Sequence, residues 1–112
     1  MTIGGSNADA VFTSRVTVVE VSRGIARIDS PMERRTSKTL FMHDLSLMFL
    51  IEADAQGCEL AAEFAERTSL RSLDAIHVAS AERALGPNAT FVTFDIRQAK
   101  AARELGLTVK GA

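Results

Sequence analysis

The chain has a single cysteine, only two prolines, no excess of basic residues, and no strongly apolar run longer than Leu47 to Ile51. Each shortage excludes something. The lone Cys58 rules out an internal disulfide and fits a reducing compartment; with no base beside it in sequence, it reads as a small buried hydrophobe. The apolar run falls far short of the roughly 20 residues needed to cross a bilayer, and Met1 to Ser6 has neither the basic region nor the apolar stretch of a secretion signal. A soluble cytoplasmic protein with no membrane partner is expected. A net charge of -1 gives no overall attraction to nucleic acid, so any such partner must be held by a local basic patch. There is also no Cys/His cluster for zinc, no Gly-rich phosphate loop and no Ser/His/Asp set on a strained turn. The available chemistry narrows to metal-assisted hydrolysis or none.

What is present is ordinary for a folded protein. With 112 residues, 46% hydrophobic and 24% charged, the sequence fits one domain, 1–112, that can form a core without staples. Asp9 to Ser14 reads as a short strand. Arg15 to Ile28 follows a helical pattern with Val18, Val21, Ile25 and Ile28 on one stripe, Ser14 as N-cap and Asp29-Ser30-Pro31 as terminator. A second helix starts near Pro31. Leu47 to Ile51 fits either a strand or the buried tail of that helix. Ala53 to Arg67 reads as helix with Leu60, Ala61 and Phe64 inward, and Ser72 to Leu85 as another, closed by Gly86-Pro87-Asn88. Thr90 to Phe94 is the clearest strand, followed by a helix from Ile96 to Leu105 stopped by Gly106, and a short strand at Leu107 to Val109. Strands alternating with helices of this length predict a mainly parallel sheet with helices on its faces, and ligands at the carboxyl ends of its strands.

Two acids stand where packing alone does not place them. Asp74 is surrounded by Leu73, Ala75, Ile76, Val78, Ala79 and Ala81. A carboxylate in such a wall needs a partner, a cavity or a metal, although a place in the first helical turn also favours the dipole. Asp95 ends an apolar strand; it can cap the next helix, and a carboxylate has acceptor sites enough to cap and bind metal together. Thr93 shares its strand parity and can point to the same edge. Glu20 falls on the stripe of Val16, Arg23 and Arg27, where an ion pair with Arg23 is the plain reading. His43 and His77 read as packing or surface residues. Three carboxylates brought together need a counter-charge, and a hard divalent cation supplies it.

The segments Leu70-Arg-Ser-Leu-Asp-Ala-Ile-His-Val-Ala-Ser-Ala81, Phe91-Val-Thr-Phe-Asp95 and Ala101-Ala-Arg-Glu-Leu-Gly-Leu107 resemble the carboxyl half of PIN domains, particularly VapC-type ribonuclease toxins of toxin-antitoxin pairs. Val11 to Gly24 more loosely resembles the family's second strand and the helix bearing its second acid. The resemblance implies a three-layer α/β/α sandwich in which Glu20, Asp74 and Asp95 hold magnesium or manganese, with Thr93 in support, for hydrolysis of RNA phosphodiester bonds. It further implies Arg23, Arg71 or Arg97 against phosphates, a cognate antitoxin, and a homodimer or swapped oligomer. The family's first strand, which carries its first acid, has no counterpart in Met1 to Ala8, so an amino-terminally shortened domain is expected. A catalytically inactive PIN remnant that binds antitoxin or itself is the alternative.

Overall fold

The computed structural model describes residues 2–3, 11–86 and 90–111. In chain order the elements are β1 (Thr2–Ile3), β2 (Val11–Ser14), α1 (Val16–Ala26), α2 (Pro31–Ser46), β3 (Phe49–Ile51), α3 (Ala55–Arg67), α4 (Ser72–Leu85), β4 (Thr90–Val92), α5 (Ile96–Glu104) and β5 (Thr108–Lys110). The sheet order is β3-β2-β1-β4-β5. Pairs β2/β3 and β4/β5 are parallel, whereas β1 is antiparallel to both β2 and β4. Four strands thus run one way, as the alternation of elements predicts, around a central strand that runs the other. The result is the expected α/β/α sandwich.

The central strand is one that no sequence pattern announces. Thr2 lies opposite Phe12 and Phe91, and Ile3 opposite Val11 and Thr90. Two residues carry no periodicity, and only the two flanking strands define the slot they fill. Asp9 and Ala10, assigned from sequence to the next strand, and Pro87 and Asn88, assigned to the stop of α4, lie outside the described residues.

Local chemistry accounts for most element limits. Ser30 accepts from the Glu33 N–H at 3.3 Å and Pro31 occupies the first turn, so α2 begins where its missing donor costs nothing. Ser14 precedes the cap position of α1, at Arg15, yet its hydroxyl still takes the Val16 N–H at 3.3 Å. Gly86 at φ 58° and Gly106 at φ 91° close α4 and α5 in conformations that disfavour other residues. Phe49–Ile51 is a strand because β2 pairs with it, and the rings of Phe12 and Phe49 stack with centroids 5.1 Å apart.

The core is built from α3, α4, α5, β4 and the edge of β5: Phe64, Leu70, Val78, Phe91 and Leu107 interlock with Ala61, Ala75, Ala79, Ala81, Ala101 and Ala102. Small residues let α3 and α4 pack closely on each other and let α4 and α5 approach the sheet. By contrast α1 and α2 bury no residue fully. Cys58 corrects the sequence reading: it is exposed, because α3 turns Gly57, Ala61 and Phe64 inward and leaves position 58 on the outer side.

Candidate metal and nucleic-acid site

β4 leads directly into the site. Thr93, nearly buried at the end of that strand, accepts the Asp95 N–H at 3.2 Å and donates its hydroxyl to Gln98 Oε1 at 2.6 Å. Gln98, one turn into α5, is also buried and donates from Nε2 to Asp74 Oδ1 at 3.3 Å. A continuous chain of hydrogen bonds therefore runs from the Asp95 backbone through Thr93 and Gln98 to Asp74 on α4. Asp95 Oδ1 caps α5, accepting from the N–H groups of Arg97 at 2.9 Å and Gln98 at 3.2 Å. Both sequence-derived roles of Asp95, cap and candidate ligand, remain compatible.

Glu20 projects from α1 and does not pair with Arg23. Its Oε1 instead bonds Nε2 of His77 on α4. Asp74 feels this surrounding charge. Its carboxyl is pushed above the ordinary range, first by burial and then by the Asp95 and Glu20 carboxylates, with His77 and Arg71 pulling the other way. The three acids thus share one electrostatic neighbourhood at the carboxyl ends of β2 and β4, where parallel sheets gather ligands.

Two clefts meet at Asp74. One, of about 430 Å³, is lined by Thr13, Thr17, Glu20, Asp74, His77 and Gln98 and reaches the α2 residues Phe41 and Asp44. It lies beyond Phe12 and Phe91, where pairing with β1 ends. The other, an open cleft of about 480 Å³, is lined by Arg71, Asp74, Phe94, Asp95, Ile96 and Arg97. Arg23, the third sequence-nominated phosphate contact, lines neither cleft.

The donor set can be tested against a metal. Asp74, Asp95 and Glu20 each use one carboxylate oxygen in the hydrogen bonds above, which leaves Oδ2, Oδ2 and Oε2 without a hydrogen bond among the described residues. All are hard oxygen donors of the kind magnesium and manganese prefer. In their present rotamers, however, no three His, Cys, Asp or Glu side chains among the described residues stand close enough to hold one ion together. The chemistry of the donors fits a hard divalent cation, but Glu20 is engaged by His77 and lines a different cleft from Asp95.

Sequence reasoning did not single out Gln98 or Asp44, and it gave His77 no acidic partner. Gln98 has no recognisable motif, but its place three residues after a strand-ending Asp was a usable signal, since that position faces back toward the cap. Glu20 and His77 are 57 residues apart, and only the packing of α1 near α4 reveals their contact.

No curated protein matches the chain. The fold is similar to that in the crystal structure of FitAcB from Neisseria gonorrhoeae, with a TM-score of 0.66, 20% identity, and coverage of 86% of this chain and 70% of that one. No described helix is long and apolar enough to cross a membrane. The sequence signature of the PIN domain matches residues 3–104, which take in β2 through α5, the hydrogen-bonded chain from Asp95 to Asp74 and all three candidate acids, and so the chain belongs to the PIN domain family.

Proposed function

We propose that this PIN domain is a metal-dependent endoribonuclease of the VapC toxin type, cytoplasmic, held in check by a cognate antitoxin and paired with a second copy of itself. One observation carries the nuclease reading: Thr93 and Gln98 link the Asp95 backbone to the Asp74 carboxylate by hydrogen bonds, and Asp74 lines both clefts, one shared with Glu20 and the other with Asp95. Asp74, Asp95 and Glu20 would hold magnesium or manganese, which when bound lowers the pKa of water and offsets charge developing on a phosphate.

The remaining work belongs to the chain. Gln98 donates to one oxygen of Asp74 and leaves the other without a hydrogen bond among the described residues. Thr93 fixes the backbone at Asp95 and holds Gln98 by its amide oxygen, so one hydroxyl aligns two acids. Arg71 and Arg97 flank the open cleft, where guanidinium groups suit phosphate oxygens.

The second reading, an inactive PIN module that binds antitoxin or itself, is favoured by the absence of three converged ligands among the described residues. Incubation of unstructured RNA with the protein in magnesium or manganese separates the two. The nuclease reading expects cleavage that stops with chelator and with Asp74→Asn. Intact RNA under every metal condition leaves the binding module.

A further inference from the structure

Phe94 is 83% exposed and Ile96 81% exposed, the two largest exposures among the large apolar side chains of the described residues, and they stand on either side of Asp95. Burying the Phe94 ring would be favourable by itself, so leaving it on the rim of an acidic cleft calls for an occupant. The ring is also placed. Gly111, at φ 103°, runs so close that an added Cβ would lie 3.2 Å from Phe94 Cε1 and 2.5 Å from the Thr93 carbonyl oxygen. The ring thus lies beside Gly111, just past β5, and stays mostly open to solvent. Arg71 and Arg97 line the same cleft, and neither takes part in an ion pair among the described residues.

An exposed aromatic ring in a cleft that two guanidinium groups also line is the combination that single-stranded nucleic acid uses, with bases stacking on the ring and phosphates meeting the cations. We infer that Phe94 is the stacking platform for an unpaired RNA base next to the bond that is cut, with Arg71 and Arg97 holding the adjoining phosphates. The inference rests on the nuclease reading for where the scissile phosphate lies, beside Asp74 and Asp95. Phe94 is a positioning residue for substrate. A flat ring accepts any base, so little sequence selection is expected at this point.

The chain lacks tryptophan and tyrosine, so Phe94→Trp introduces a sole indole whose emission is quenched when a base stacks on it. Binding of a short fluorescein-labelled unstructured RNA is measured by anisotropy in EDTA, where no cleavage occurs, against an abasic strand of equal length. Phe94→Ala and Phe94→Leu are expected to weaken RNA binding about tenfold and to leave abasic binding unchanged, whereas Phe94→Trp restores affinity and shows quenching with RNA alone. Far-UV circular dichroism checks that the variants fold. Equal affinity of wild type and Phe94→Ala, equal losses on RNA and abasic strand, or wild-type binding no tighter to RNA than to the abasic strand each overturns the inference. So does a change in sedimentation of Phe94→Ala with RNA affinity intact, which would make the patch a contact between protein chains. If stacking is seen but wild type cleaves nothing with manganese, the nuclease reading fails and the platform stands.

Discussion

The carboxylate of Glu20 on α1 bonds Nε2 of His77 on α4, with the imidazole largely buried and the acid half exposed. This pair ties the helix hairpin of α1 and α2, which buries nothing fully, to the helix that carries Asp74. It also holds Glu20 toward His77, so on the nuclease reading stability and metal affinity pull in opposite directions at one residue.

His77→Ala should accordingly lose stability, by about 1–2 kcal/mol for one hydrogen bond to a charged group, while freeing Glu20 to swing toward Asp74. The expected outcome is a lower urea midpoint together with a several-fold lower manganese concentration at half-maximal cleavage. A variant that needs more manganese would mean that His77 orients Glu20 for the cation instead of competing for it.

Asp74→Asn is expected to separate function from stability. The folded-state carboxyl is raised above its unfolded value; such a group stabilises the fold below the unfolded pKa and loses that contribution as pH rises through the folded pKa. Above its folded pKa the charged Asp74 is thus a burden that the amide removes. The variant should melt higher at pH 7, by at most about 4 °C once solvent screening is counted, and this advantage should vanish in acid. RNA cleavage should fall at least about 100-fold. Manganese should raise the melting temperature of wild type and leave the variant unmoved.

Much of this architecture was legible where local chemistry decides it. Ser30-Pro31 marked the start of α2 and Ser72 to Leu85 was readable to the residue, because a glycine with positive φ must end it. The cap role of Asp95 and the strand ahead of it followed in the same way. Readings failed or stayed open where a distant segment decides. Thr2–Ile3 is a strand only because β2 and β4 leave a slot between them, Phe49–Ile51 only because β2 pairs with it, and Glu20 chose His77 over Arg23 because helices pack. Cys58 was misread because an Ala-rich helix carries a weak apolar signature, and a shift of one residue moves a side chain by about 100°.

Phe91 offers the clearest test of the core. It is 1% exposed, lies on β4 opposite Thr2 and Val109, and is among the largest fully buried side chains. Phe91→Ala removes a ring that the surrounding alanines cannot replace, at a cost of about 3–5 kcal/mol. That is a large part of the 5–15 kcal/mol typical of folded domains, so urea unfolding should begin at much lower denaturant, or the variant should be unfolded at the outset. A loss under about 1 kcal/mol would mean that the sheet centre repacks around β1.

Asp54 and Arg83 give the pH dependence a second, independent handle. Asp54 Oδ1 caps α3 by accepting the Gly57 N–H at 2.8 Å and also bonds Nη1 of Arg83 in the last turn of α4, whose Nη2 reaches Gln56 Oε1 at 3.0 Å. The Gly57 N–H and then the Arg83 guanidinium hold the Asp54 carboxyl below its ordinary value of 3.8. A depressed folded pKa gives stability that is present above the unfolded pKa and lost as pH falls through the folded one. Asp54→Asn keeps a capping side chain but removes the charge, so its urea midpoint should lie below that of wild type at pH 7, and the two should converge as pH falls below 3.8. Raising the salt concentration at pH 7 should narrow the gap, since the pair is partly exposed. A gap that persists unchanged in acid would assign the effect to cap geometry alone.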